Sequence, residues 1–143
     1  MTRIDRLVPR FVGAMPLSID EGLLYISTLY ATTLHLCACG CLNKVVLPLS
    51  RAEWQLTWDG ETVSMSPSIG NWEYPCQSHY WIERSSIRWA EPWSRAHIEA
   101  GRRRDATVMA AMFEATPGIG SSSSTESAQE PRLAKLLRRW LRR

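Results

Sequence analysis

No stretch of this 143-residue sequence is apolar for long enough to cross a bilayer, which takes about 20 residues. The residues from Met1 to Arg10 carry charges on both sides of a short apolar stretch and lack the apolar centre of a secretory signal. We therefore expect a cytoplasmic chain, in which thiols stay reduced. No internal repeat is visible. Basic charge goes unmatched by acid only at one end: the last twelve residues hold Arg132, Lys135, Arg138, Arg139, Arg142 and Arg143 and no acid. The whole chain has a net charge of +3, so without those six cations the remainder stands at −3. That balance excludes an obvious nucleic-acid-binding body and leaves any basic patch to the tail.

Tryptophan is what the chain has in quantity. Of seven, six fall between Trp54 and Trp93, which marks where the core or a binding surface lies. The length suits one domain with residues left for tails. Residues 1–22, broken by Pro9, Pro16 and Gly22, read as a lead-in. Residues 23–93 read as strands: Leu23–Ser27, Thr32–Cys37, Val45–Leu49, the alternating Trp54, Leu56 and Trp58, then Val63 and Met65 after an Asp59-Gly60 hairpin turn. Pro67–Trp72 reads as a loop. Tyr80–Ile82 and Ile87–Trp89 read as two strands around a turn. Ser94 is a plausible cap for a helix running to Phe113. The expected fold is α+β: a β-rich domain over 23–113 with a zinc knuckle and one following helix. Residues 114–131, with four consecutive serines, read as a flexible linker. In 132–143, Leu133, Leu136, Leu137, Trp140 and Leu141 share one helical face. Such a basic amphipathic helix suits an anionic membrane surface or a partner groove, or packs on its own domain.

Four reduced cysteines, Cys37, Cys39, Cys41 and Cys76, supply the number of ligands that zinc takes. Gly40 permits a tight turn between Cys39 and Cys41. Three ligands within five residues is a crowded arrangement, and His35 or His79 is the alternative to one of them. A site closed by four thiolates is structural rather than catalytic.

The series His35-x-Cys37-x-Cys39-Gly40-Cys41, then Pro67-Ser68-Ile69-Gly70-Asn71-Trp72, then Cys76-x-Ser78-His79-Tyr80-Trp81-Ile82 resembles a small bacterial family of zinc-containing domains. Members of that family sit in ubiquitin-like conjugation (Bub) operons beside E1-like, E2-like and ubiquitin-like proteins. The resemblance covers roughly residues 20–93. It implies a zinc-containing serine peptidase acting on the C-terminus of a ubiquitin-like protein, with that protein and its E1-like and E2-like enzymes as partners.

Serine chemistry needs a hydroxyl, a base within hydrogen-bond reach and donors for the oxyanion. Ser78 and His79 are adjacent, so on a strand they face opposite sides and cannot pair. If the Cys37 and Cys76 segments were antiparallel neighbours sharing the metal, His35 would lie opposite Ser78 as its general base. The rival pair is His79 with Ser68 or Ser66, with Gly70 and nearby amides as oxyanion donors and Glu21, Glu53 or Glu73 as an orienting acid. The competing function is a non-catalytic zinc adaptor that binds a ubiquitin-like protein or its conjugating enzymes.

Overall fold

The computed structural model describes residues 2–115. Eight strands form two four-stranded sheets. The first sheet contains β1 (Val8–Phe11), β2 (Leu23–Ser27), β3 (Thr32–Leu36) and β4 (Lys44–Pro48), in that order. The second contains β5 (Gln55–Trp58), β6 (Val63–Gly70), β7 (His79–Glu83) and β8 (Ser86–Trp89), also in order. All neighbours are antiparallel except β1 and β2, which pair in parallel. One apolar core draws on both sheets, with Leu24, Ile26, Val45 and Leu47 from the first and Val63, Met65, Ile69, Tyr80 and Ile82 from the second. Helix α1 (Arg95–Ala115) follows β8. Ser94 caps it, accepting a hydrogen bond from the His97 amide at 3.3 Å. No helix among the described residues is long and apolar enough to cross a membrane.

The strands follow the alternation of side chains. In β4, Val45 and Leu47 turn inward while Lys44, Val46 and Pro48 face out. In β7, Tyr80 and Ile82 enter the core, which sends His79 and Trp81 to the other face. The architecture is α+β, as the sequence suggests, with three local differences. The lead-in is built into the domain: Leu7 is fully buried and β1 extends the first sheet. The expected Pro67–Trp72 loop is strand as far as Gly70. Helix α1 continues through Glu114 and Ala115, where a linker was expected. The remainder of that linker, and the basic tail at 132–143 with its membrane or partner contact, lie outside the described residues.

The middle of β6 positions the site. Met65 pairs with Ile82, and Ile69 pairs with Tyr80, so four steps along β6 match two along β7. The surplus is a bulge over Ser66–Ser68. Bulges accommodate proline, which has no amide hydrogen to give to a ladder. Beyond it Gly70 pairs with His79. Ser68 and Gly70 lie two residues apart, on the face opposite buried Ile69, and this is also the face of His79.

Candidate functional site

Two polar constellations flank the start of β7, one on each side. Toward the first sheet, Sγ atoms of Cys37, Cys39, Cys41 and Cys76 all lie within 4.8 Å of one another. The separations are 3.4 Å for Cys37–Cys39, 3.7 Å for Cys41–Cys76 and 4.0 Å for Cys37–Cys76. Thiolates at about 2.3 Å from one ion define a tetrahedron with edges of about 3.8 Å. The donor set therefore fits a four-thiolate metal site, and all four thiols are free of disulfides. Three of them come from one turn: Gly40 adopts a φ of +85° and its amide donates to the Cys37 carbonyl at 3.0 Å. The crowding within five residues is met by that turn, and neither His35 nor His79 belongs to the cluster.

The thiols are not electrostatically alike. Burial pushes Cys37 and Cys39 up. Burial also works upward on Cys41, but hydrogen bonds from the Asn43 backbone, Cys39, the Asn43 side chain and Cys76 together outweigh it and bring the thiol down to about 7. The Asn43 amide lies 3.3 Å from Cys41 Sγ. A cation among the four favours every thiolate over its thiol.

Ser78 and His35 lie beside this cluster without touching each other. The register that would pair them is not formed, because β3 and β7 belong to different sheets. Ser78 Oγ sits 3.0 Å from Cys37 Sγ and accepts from Asn71 Nδ2 at 2.9 Å. His35 Nε2 instead meets the Tyr80 hydroxyl at 2.8 Å. His35 is fully buried, and burial brings its imidazole down to about 3. Asn71 also reaches Tyr80 OH at 3.4 Å, so one buried network runs from His35 through Tyr80 and Asn71 to Ser78 and Cys37. It fixes the packing around the thiols, and at its Ser78 end it borders a cavity of about 280 Å³ that His79 also lines. Asn71 was not singled out from the sequence. Its signal was its place between Gly70 and Trp72, in one of the three motifs.

On the outer face, His79 Nε2 lies 2.9 Å from Ser68 Oγ. The two are diagonal neighbours across the β6–β7 pair, a spacing a histidine spans easily. Gly70, directly opposite His79, has no side chain, and a Cβ there would collide with the Trp72 indole. Trp72, Trp81 and Trp93 stand around the imidazole with ring centroids 5.0, 5.4 and 4.8 Å away. This enclosure holds His79 below the ordinary imidazole value of 6.5, chiefly through burial. The Glu91 main-chain carbonyl works weakly against the shift, but Nδ1 makes no hydrogen bond of normal geometry. None of the expected orienting acids fills that place: Glu53 accepts from Ser50 and Glu73 pairs with Arg102. Ser68 and His79 open into a cleft of about 240 Å³ whose far side is α1.

A model of the family described as "Bacterial ubiquitination-like system serine protease (BubE)" matches residues 11–90, more than half of the chain. The chain belongs to the BubE family. The BubE match spans both constellations, and the family's name implies a serine-protease-like role in a bacterial ubiquitination-like system. It ends at residue 90, before Trp93 and α1. No curated protein and no solved structure is matched by the chain.

Proposed function

We propose that this BubE protein is a serine peptidase in which Ser68 is the nucleophile and His79 its general base, and that its substrate is the C-terminus of a bacterial ubiquitin-like protein. The observation that carries the reading is the 2.9 Å contact between Ser68 Oγ and His79 Nε2 at the floor of an open cleft. It takes the place of a Ser78–His35 pair, whose members are buried and separately bonded. Ser68 Oγ attacks the scissile carbonyl while its proton passes to His79 Nε2. The tetrahedral intermediate collapses, the C–N bond breaks, and His79 returns the proton to the leaving amine. Water, deprotonated by His79, then hydrolyses the acyl ester. The main-chain amide of Ser68, in the β6 bulge, serves as an oxyanion donor.

The metal of the four-cysteine site is zinc, held by Cys37, Cys39, Cys41 and Cys76 in a structural role. It takes no part in the reaction. When bound it ties the β3–β4 turn to Cys76, three residues before His79. The reducing cytoplasm suits such a site. The E1-like and E2-like enzymes of the pathway are further partners.

Cleavage of a ubiquitin-like protein extended at its C-terminus tests the mechanism. Ser68→Ala and His79→Ala abolish cleavage, and Ser78→Ala retains it whenever the variant folds and binds metal. Cleavage that survives Ser68→Ala contradicts the mechanism. Binding without any cleavage by the wild type leaves the adaptor function instead.

A further inference from the structure

We propose that helix α1 is the second wall of the substrate cleft, and that Arg104 on this wall holds the substrate by donating hydrogen bonds to oxygen atoms of an extended peptide chain laid over Ser68. The inference rests on the assignment of Ser68 and His79 as the catalytic pair.

The core does not account for α1. Its 21 residues include none that is buried, and a helix without a buried apolar face gains little from packing. Even so, it is docked at a defined place. The Trp93 indole, just before the helix, stacks on Trp72 with centroids 5.7 Å apart and planes 20° from parallel. Gly101, two turns on, lets the helix close on that stack, since a Cβ there would stand 3.3 Å from the Trp93 ring. Arg102 then pairs with Glu73 in the loop after β6. The stack lies against His79, and together the three contacts set α1 across the cleft from Ser68.

The lining shows what the wall meets. Pro67 and Ser68 form one side; Ile98, Arg104 and Asp105 belong to α1. A volume of about 240 Å³ is below the usual range for small-molecule pockets, roughly 300–1,000 Å³. It accommodates an extended chain segment and excludes a folded domain. Arg102 is committed to Glu73, whereas the Arg104 side chain has no ion pair or hydrogen bond among the described residues. Guanidinium offers five N–H donors and no acceptor, which suits carbonyl oxygens along a strand. Asp105 also lines the cleft and offsets the Arg104 charge there.

The test compares the full-length wild type with Arg104→Ala, Arg104→Lys and Arg103→Ala. Arg103 is adjacent in sequence, points to the Glu99 carbonyl and does not line the cleft. Two readouts are needed: the rate at which a small fluorophosphonate labels Ser68, and kcat and KM for a ubiquitin-like protein carrying a C-terminal amide-linked fluorophore. Arg104→Ala is expected to raise KM roughly tenfold or more, the scale of a lost charged hydrogen bond, with kcat and labelling near wild type. Arg104→Lys recovers part of the loss, and Arg103→Ala matches wild type. An unchanged KM in Arg104→Ala, or an equal rise in Arg103→Ala, overturns the proposal while leaving the catalytic pair standing. Absence of both labelling and cleavage in the wild type removes the pair itself, and the proposal falls with it.

Discussion

Each histidine that matters here has its chemistry set by neighbours a few ångströms away. His79 is enclosed by three indoles, and burial disfavours its charged form. In the proposed mechanism only the neutral ring takes a proton from Ser68, so lowering the pKa keeps the base available to more acidic pH. The acid limb of kcat/KM is therefore expected below pH 6.5, with full activity above it. A pH–rate profile that inflects above 6.5 contradicts this. His35 is the opposite case, sealed in the core and tied to Tyr80. Tyr80→Phe removes the hydroxyl that joins His35 to Asn71 and leaves His35 Nε2 without its partner, while Asn71 keeps Ser78. Urea unfolding of that variant is expected to show a loss of about 1–3 kcal/mol, while Ser68 remains reactive.

Strand β7 carries the alternation that separates stability from chemistry. Ser78, just before it, faces Cys37, and His79 faces Ser68, so neighbouring residues serve the two sides. The β6 bulge completes the arrangement by bringing Ser68 within reach. Gly70→Ala tests that geometry, because the new Cβ collides with Trp72 and must push the indole off its place beside His79. The expected result is a loss of about 1–3 kcal/mol in unfolding free energy and a fall in kcat/KM of roughly tenfold. Wild-type kcat/KM in this variant would show that Trp72 does not position the base.

The elements also show what could be read from the chain alone. The apolar runs Val45–Leu49 and Tyr80–Ile82 announced strands correctly, because alternate residues of each fill the core. Pro9 and the parallel pairing of β1 hid the first strand, since its partner, not its own composition, stabilises it. The Pro67–Gly70 segment looked like a loop for the same compositional reason, and a bulge resolves the conflict. The cysteine set was legible because three members are local. The pairing of serines with histidines depended on which strands share a sheet, and that is fixed by long-range packing. Trp93 and α1 gave no sign of their place over the cleft, although the density of tryptophan pointed to that region.

At the scale of the whole molecule, one core joins two sheets, and the four thiols bridge them at one end of it. Cys37, Cys39 and Cys41 follow the first sheet's β3, and Cys76 precedes the second sheet's β7. Metal removal is thus expected to loosen both sheets and to disturb Ser68 and His79 indirectly. Chelation should lower the melting temperature by an amount on the order of 10 °C or more. Cys76→Ser should carry less than one zinc per chain by elemental analysis. Full stability after chelation, or well-folded protein purified without any transition metal, would remove the metal from the account.

The proposed function turns on Ser68 as the nucleophile of a peptidase for ubiquitin-like C-termini. The most direct measurement is peptide mapping by mass spectrometry after wild-type protein has reacted with a ubiquitin-like protein bearing a C-terminal electrophile. One covalent adduct is expected, located on Ser68 and missing from Ser68→Ala. An adduct on Ser78, or one that persists in Ser68→Ala, contradicts it.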